Sequence, residues 1–406
     1  MTKKILFLHT EMVIGGVETV LINYLNLCAN NINNEVHLVL FQSMNKDSES
    51  KVDPAVHIHY LLSQAEDQFG RYTYWKTQEH NIAENDKGYY RSWFEHIHSL
   101  RQNRLFEYID KHSFDLVIDF HACFTHFISN ENLNKITVPI IRFIHSDDVF
   151  SGWINNIQKN KKLLPKYKNI IFICEDMQKK GEGIIREVLE FQSNNTVTLY
   201  NPLDIKKVID LSQATLSEEE QQLLNDNYIV EVARLENGQK NLLQLIDIYA
   251  KLKQKGIKEK LYIIGDGPSR EEIAQKIKQL GLEEDCLLLG AKLNPFPFMK
   301  NAKVFVHTAN YEGLPTVLIE SQICGTPVVA FNCPTGPREI LADGKYGELI
   351  PMGDEDLFVE KTYELLTNEE KRQHFIPLLP QSYQRFSMEK ISEQFNTLIQ
   401  QVLNKE

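Results

Sequence analysis

The sequence predicts an α/β chain: two Rossmann-like, doubly wound parallel-sheet domains, with a C-terminal helix packing back toward the first. Three observations carry the prediction. The chain has 406 residues, too many for a single core and a natural length for two domains of roughly 150–200 residues. Short apolar runs alternate with amphipathic stretches, as in strands buried on both faces and joined by right-handed helical crossovers. The alternation also restarts once, near Tyr200-Asn201-Pro202-Leu203-Asp204, where a proline and a helix-capping aspartate punctuate the chain.

The first domain is expected over residues 1–200. Its strand candidates are Ile5–Leu8, Val36–Phe41, Val56–Tyr60, Leu116–Ile118, Pro139–Ile144, Ile170–Ile173 and Thr196–Leu199, with amphipathic stretches at Val17–Ala29 and Arg101–Lys111. Residues 63–99 break the rhythm. This long, polar segment carries Phe69, Tyr72, Tyr74, Trp75, Tyr89, Tyr90, Trp93 and Phe94. An insertion of that length reads either as a helical pair packing its own aromatics or as a lid or acceptor platform. The second domain is expected over residues 201–386. Its strands are Ile229–Ala233, Leu261–Ile264, Leu287–Leu289, Val304–Val306, Val328–Phe331 and Glu348–Ile350, and its helices Asn241–Gln254, Ser269–Leu280, Pro315–Ile323 and Asp354–Leu366. Over residues 387–406, Ile391, Phe395, Ile399 and Leu403 recur at a spacing of four, the stripe of a docked amphipathic helix.

Composition narrows the function classes. Hydrophobic residues make up 42% and charged residues 24%, ordinary for a globular chain. The formal net charge of −11 argues against a general nucleic-acid binder. The six cysteines are scattered without a C-x-x-C pair, as expected of buried reduced thiols. His9, Thr10 and Glu11 interrupt the N-terminal apolar run too early for a signal peptide. No segment approaches the ~20 apolar residues needed to span a bilayer. The expected location is therefore cytoplasmic.

Several loops at predicted strand ends carry chemistry. Gly15-Gly16 precedes a helix and lets backbone N–H groups approach an anion. Arg234 closes the first strand of the second domain and Lys240 lies beside the next helix, a suitable pair of cations for a diphosphate. Gly265-Asp266-Gly267-Pro268 mimics the opening of a dinucleotide fingerprint but lacks its third glycine, and reads as a tight turn. The densest signal is Tyr311-Glu312-Gly313-Leu314-Pro315-Thr316-Val317-Leu318-Ile319-Glu320. Pro315 suits the first helical position, and the N–H groups of Thr316 and Val317 then face an anion. Glu312 and Glu320 can each accept two hydroxyl hydrogen bonds, and Gly313 leaves room for a ligand. His145 ends a strand in the first domain, with His121 and His9 as competitors.

The second half resembles the family 4 retaining glycosyltransferases of the GT-B fold, in particular bacterial capsule and lipopolysaccharide enzymes. Matching pieces run in the family's order: Val232-Ala233-Arg234-Leu235 with Gln239-Lys240-Asn241, Ile264 through Pro268, Leu289-Gly290, Tyr311 through Glu320, Gly325 through Ala330, and Gly336 through Ile340. Gly15-Gly16-Val17-Glu18, Phe172-Ile173-Cys174-Glu175 and Asn201-Pro202 fit as well. Residues 200–350 carry most of the resemblance, and residues 60–135 match nothing. Ala233 departs from the family's usual glycine.

The resemblance implies a role for each residue. Arg234 and Lys240 bind the donor diphosphate, and Glu312 holds donor-sugar hydroxyls in a loop left exposed until the sugar arrives. Glu320 takes the ribose diol, and the Thr316 and Val317 amides take the distal phosphate beside Gly313 and Leu314. Gly15 and Gly16 close over that phosphate, and His145 lies beside the transferred sugar. Glu312, His145, Arg234 and Lys240 are thus the candidate catalytic residues. The implied reaction moves a hexose or N-acetylhexosamine from a nucleotide-diphosphate sugar, a UDP-sugar by resemblance, to a glycan or lipid-linked acceptor. Fixed cations and helix N–H groups would stabilise the leaving diphosphate. Configuration is retained, with no cofactor and no metal. Asp354-Glu355-Asp356 is a D-x-D look-alike expected to cap a helix.

Two alternatives stay open: a GT-B sugar-nucleotide epimerase and a non-catalytic nucleotide-sugar binding module. Lys159, Lys161, Lys162, Lys166 and Lys168 lie beside Leu163, Leu164 and Tyr167, so peripheral contact with the inner face of an anionic membrane is a further expectation.

Overall fold

The computed structural model describes residues 2–12, 15–42, 49–79, 83–124, 134–190 and 195–404. They form two units. The first holds residues 1–173, 178–202 and 392–406, and the second residues 174–177 and 203–391. All thirteen runs expected to be strands are strands. The first sheet comprises β1 (Lys3–His9), β2 (Asn34–Leu40), β3 (His57–Tyr60), β4 (Leu116–Asp119), β5 (Ile140–Ile144), β6 (Asn169–Phe172) and β7 (Thr196–Thr198). The second comprises β8 (Tyr228–Val232), β9 (Lys260–Ile264), β10 (Cys286–Gly290), β11 (Val304–His307), β12 (Val328–Phe331) and β13 (Glu348–Ile350).

The strand orders are β3-β2-β1-β4-β5-β6-β7 and β10-β9-β8-β11-β12-β13, and the described pairings are parallel. Both are doubly wound Rossmann orders, in which the chain reverses direction of growth between β1 and β4 and again between β8 and β11. Those reversals open a crevice beyond the strands' carboxyl ends, where ligands of such sheets bind.

Helix Leu242–Gln254 shows how the second core is sealed. Leu242, Leu245, Ile246, Tyr249 and Leu252 recur at helical spacing and are all buried. Burying each contributes about 1.5–3 kcal/mol. The helix Glu355–Thr367 begins where Asp354 accepts from Leu357 N at 3.0 Å, so this aspartate is a cap.

The aromatic insertion is a helical hairpin. Ser63 caps Gln64–Gln78 in a capping box with Glu66. The partner helix, Glu84–His112, is much longer than the Arg101–Lys111 stretch read from sequence. Phe69 meets Trp93, Tyr72 meets Tyr90 and Tyr74 meets Phe94, with ring centroids 5.4, 5.9 and 5.4 Å apart. A Cβ on Gly70 would lie 2.9 Å from Ile97 Cγ2, so that glycine lets the helices close.

The last helix, Met388–Asn404, buries Ile391, Phe395, Leu398, Ile399 and Val402. Steps of four overshoot a turn of about 3.6 residues, so the expected stripe drifts and Val402 is buried more deeply than Leu403. Within the first unit Phe395 meets Tyr24 and Phe143 edge-on, at 4.9 and 6.1 Å.

The lysine segment departs from expectation. Leu163, Leu164 and Tyr167 are buried and belong to the core, so they offer a membrane no apolar face. Lys161 pairs with Glu190 and Lys166 with Asn134, at 2.8 and 2.7 Å.

Candidate active site

In the second unit, β8 and β11 lie side by side at the reversal point, and the loops leaving them form a cradle. Glu231, inside the otherwise apolar β8, and His307, the last residue of β11, face each other with Oε1 and Nδ1 3.1 Å apart. His307 Nε2 lies 3.1 Å from Glu312 Oε1, and the same carboxylate is ion-paired with Lys240 Nζ. Burial opposes charge on His307, but the flanking Glu231 and Glu312 carboxylates overcome it and raise the ring to about 9. It is therefore an imidazolium at neutral pH. Burial likewise opposes charge on Glu312, yet His307 and Lys240 hold its carboxyl below the ordinary glutamate value.

Glu312 thus departs from the sequence reading. It is only 7% exposed and already partnered, not a free carboxylate waiting for a sugar. The Lys240 ammonium is engaged by the same carboxylate. The Arg234 side chain is exposed and has no hydrogen-bond or ion-pair partner among the described residues.

Loop 237–241 is stitched to loop 308–312. Asn310 N donates to Gln239 O at 2.8 Å, and Asn310 Nδ2 to Gly238 O at 3.0 Å. Thr308 Oγ1 donates to Lys240 O at 3.2 Å. Gln239 Nε2 reaches Tyr311 O at 3.3 Å. Thr335 Oγ1 donates to Glu312 O, so the loop bearing Glu312 is held from below as well.

Two glycines set the shape of the floor. A Cβ on Gly265 would lie 1.8 Å from Ala233 O, and one on Gly336 would lie 2.5 Å from Pro315 Cδ; both residues have positive φ. Gly265 thereby lets its turn lie directly on the loop that presents Arg234. Ala233, where a glycine was expected, is accommodated in this contact.

Helix Thr316–Ile323 begins one residue later than expected, with Pro315 at its cap. Its opening N–H groups, those of Thr316 and Val317, precede the first bond of the turn, in which Leu318 N donates to Pro315 O at 3.0 Å. Glu320 lies one turn along the same helix. Burial pushes its carboxyl up to about 7. Gly313 and Leu314 complete the loop, with Leu314 buried.

In the first unit the carboxyl ends of β4 and β5 border a cavity of about 480 Å³, whose lining includes Val17, His121, Arg142, His145, Trp153 and Asn160. His145 stacks on Phe143, centroids 5.6 Å apart, and packs against Phe120 at 4.4 Å. Both its ring nitrogens are buried without a hydrogen-bond partner. Burial, together with His121 and His9, lowers it to about 3. Arg142 Nε and Nη1, Trp153 Nε1 and Asn160 Oδ1 are buried and unpaired too. His9 Nε2 lies 3.4 Å from Glu18 Oε1, and His121 Nδ1 lies 2.8 Å from Thr10 Oγ1. Gly15 caps helix Gly16–Ala29, while Val13 and Ile14 lie outside the described residues.

The structure therefore brings Arg234, Lys240, Glu312, Gly313, Leu314, Thr316, Val317 and Glu320 together in one unit, and sets Gly15, Gly16 and His145 in the other. Sequence reasoning missed His307, Glu231, Asn310 and Thr335, and in the first unit Arg142, Trp153 and Asn160. One signal was available: a glutamate inside a buried strand needs a partner.

Residues 212–377 match the family of glycosyl transferases group 1. An uncharacterized glycosyltransferase of Methanocaldococcus jannaschii is 29% identical over 63% of this chain and 68% of its own length. The N-acetylgalactosamine-N,N'-diacetylbacillosaminyl-diphospho-undecaprenol 4-alpha-N-acetylgalactosaminyltransferase of Campylobacter jejuni is 34% identical over 60% of this chain and 62% of its own length. Alignment to these relatives thus spans about two thirds of their length. The Anabaena protein Alr3699/HepE, solved with UDP and glucose, superposes with a TM-score of 0.72 at 18% identity, covering 98% of this chain and 100% of that one.

Proposed function

We propose that this chain, whose residues 212–377 match the family of glycosyl transferases group 1, transfers a hexose or N-acetylhexosamine from a UDP-sugar to a glycan or lipid-linked acceptor in surface polysaccharide synthesis. The observation that carries the reading is the cradle at the β8–β11 reversal. There Arg234, exposed and without a partner among the described residues, the opening N–H groups of helix Thr316–Ile323 and the buried Lys240–Glu312–His307–Glu231 network all stand at the β8 and β11 ends or on the loops that follow them.

Each group has a task. Arg234 and the Thr316 and Val317 amides neutralise the diphosphate as it departs. Lys240 and His307 keep Glu312 ionised and fixed, so its carboxylate is preorganised to accept donor-sugar hydroxyls as positive charge grows on the anomeric carbon. Lys240 acts on the phosphate side through the same network. Glu320 accepts from the ribose diol when ionised. Gly15 and Gly16 are assigned to the distal phosphate and His145 to the transferred sugar. The leaving phosphate takes the acceptor's proton, configuration is retained, and no metal is required. The Campylobacter relative's lipid-linked substrate and the Anabaena protein's UDP support these substrate classes. Among the described residues no helix is long and apolar enough to cross a membrane. A lipid-linked acceptor would bring the enzyme to a membrane surface, where the Lys159–Lys168 segment supplies charge without apolar insertion.

Thermal-shift screening against nucleotide sugars, followed by acceptor-free hydrolysis of the one that binds, tests the reading. Stabilisation by a UDP-sugar and slow release of UDP are expected. Binding without hydrolysis or transfer would leave a binding module instead. Inversion of a ring carbon of the nucleotide sugar, without transfer, would indicate an epimerase.

A further inference from the structure

At the amino-terminal edge of the first sheet, away from the strand ends that carry the proposed chemistry, imidazoles gather. The parallel register sets His37 of β2 beside His57, the first residue of β3. Glu35 lies two residues before His37 on the same face of β2. His112 closes helix Glu84–His112. The His37 ring lies 4.7 Å from that of His57 and 5.0 Å from that of His112. The ligating atoms of Glu35, His37 and His57 all lie within 4.8 Å of one another.

We propose that Glu35, His37 and His57 form a binding site for a divalent transition cation, best suited to zinc, with water completing the coordination. Two imidazoles and one carboxylate are a recurrent zinc ligand set. Bonds of about 2.0–2.2 Å require the cluster to tighten by roughly an ångström. His57 is exposed at the start of its strand, so its side chain is free to make that movement.

The surroundings suit such an ion. Tyr108 Oη lies 2.7 Å from His37 Nδ1, and Glu35 Oε1 2.9 Å from Nε2. Without metal, Nε2–H donates to Glu35 and Nδ1 accepts from the phenol. With metal, Nε2 offers its lone pair, and the ring proton sits on Nδ1 and is donated to Tyr108 Oη. The neutral ring changes tautomer and no net proton is lost. That partner also fixes the ring's orientation, as carboxylates and carbonyls do behind other metal-bound histidines. Lys4 Nζ, 3.3 Å from Glu35 Oε1, is the charge the ion would displace. A bound ion would clip the edge strand β3 to β2.

The test uses the full chain, stripped with EDTA and dialysed against Zn²⁺, with Co²⁺ as a visible-absorbance probe. Expected are one equivalent retained after buffer exchange and a rise in thermal midpoint on adding Zn²⁺. His57→Ala and Glu35→Gln should each weaken binding by about tenfold or more and erase that rise. The metal-free midpoint of His57→Ala should match wild type. Substoichiometric retention, or one equivalent held equally tightly by His57→Ala, would overturn the proposal. All readouts are independent of sugar transfer.

Discussion

Two histidines at the carboxyl ends of two parallel sheets have opposite fates. His307 sits between Glu231 and Glu312 and is raised to about 9. His145 packs against Phe120 and Phe143 and is lowered to about 3 by burial and by His121 and His9. Around His307, Glu231, His307, Glu312 and Lys240 form one chain of buried ionic contacts that sets the geometry before any ligand arrives. The cavity around His145 leaves donors of Arg142 and Trp153 and an acceptor of Asn160 unpaired. The difference separates a region held by its own buried ion pairs from one in which several buried polar atoms lack a hydrogen-bond partner.

The largest expected effect strikes the rigid side. Glu312→Gln keeps the side chain's size but removes its charge, and transfer should fall by about 2–4 kcal/mol in activation free energy, read as kcat in a folded protein. Glu312→Ala should do more than that. It strands Lys240 and His307 in a buried cluster, at a stability cost of about 3–5 kcal/mol in a denaturant titration. Wild-type transfer in either variant would remove Glu312 from the site.

The two cations should now separate. Arg234→Ala should weaken UDP binding far more than uridine binding while leaving the unfolding midpoint unchanged, because that side chain is exposed and free. Lys240→Ala should lower both diphosphate affinity and stability, because it breaks the pair with Glu312. Isothermal titration and thermal unfolding of both variants separate these roles, and equal stability losses would erase the distinction.

Opposite pH behaviour follows from the two histidines. Folding raises His307, so its contribution to stability is complete below about 6.5, the ordinary histidine value, and fades as pH rises through about 9. Folding lowers His145, so its contribution is complete above about 6.5 and is lost as pH falls toward 3. His307→Gln should flatten the alkaline limb of a stability–pH curve, and His145→Gln the acid limb. Curves unchanged in both limbs would contradict the assignments.

Smaller effects concern Glu320 and metal. With its carboxyl near 7, donor affinity should rise as pH climbs from 6 to 8 and the carboxylate forms. Glu320→Gln should bind more weakly with a flat profile. On the proposed roles of Arg234 and the helix amides at the phosphates, transfer should persist in EDTA at saturating donor. Strict dependence on a divalent ion would reopen Asp354 and Asp356.

Much was legible from local pattern. Continuous Ile and Val runs mark strands covered on both faces, and Gly265 and Gly336 stand where another backbone or a proline ring comes too close for a Cβ. Pro315 announces a helix start to within a residue. The long helix Glu84–His112 was half hidden because its amino-terminal part is polar and aromatic without a clean apolar stripe. The lysines of residues 159–168 misled because burial of Leu163, Leu164 and Tyr167 is decided by what packs on them.

By itself the sequence determined the number and order of the strands, the anion-facing turns and most residues of the cradle, because each rests on spacing within a few neighbours. Only the tertiary structure decided the pairings. Glu231 meets His307 across 76 positions of chain, and Lys240 meets Glu312 across 72. Strand order puts β8 beside β11, and that adjacency is settled by the crossover of two intervening strands and their helices. The charge state of Glu312, the protonation of His307 and the unpaired nitrogens of His145 follow from desolvation and from partners brought near by that packing, and no local pattern records either.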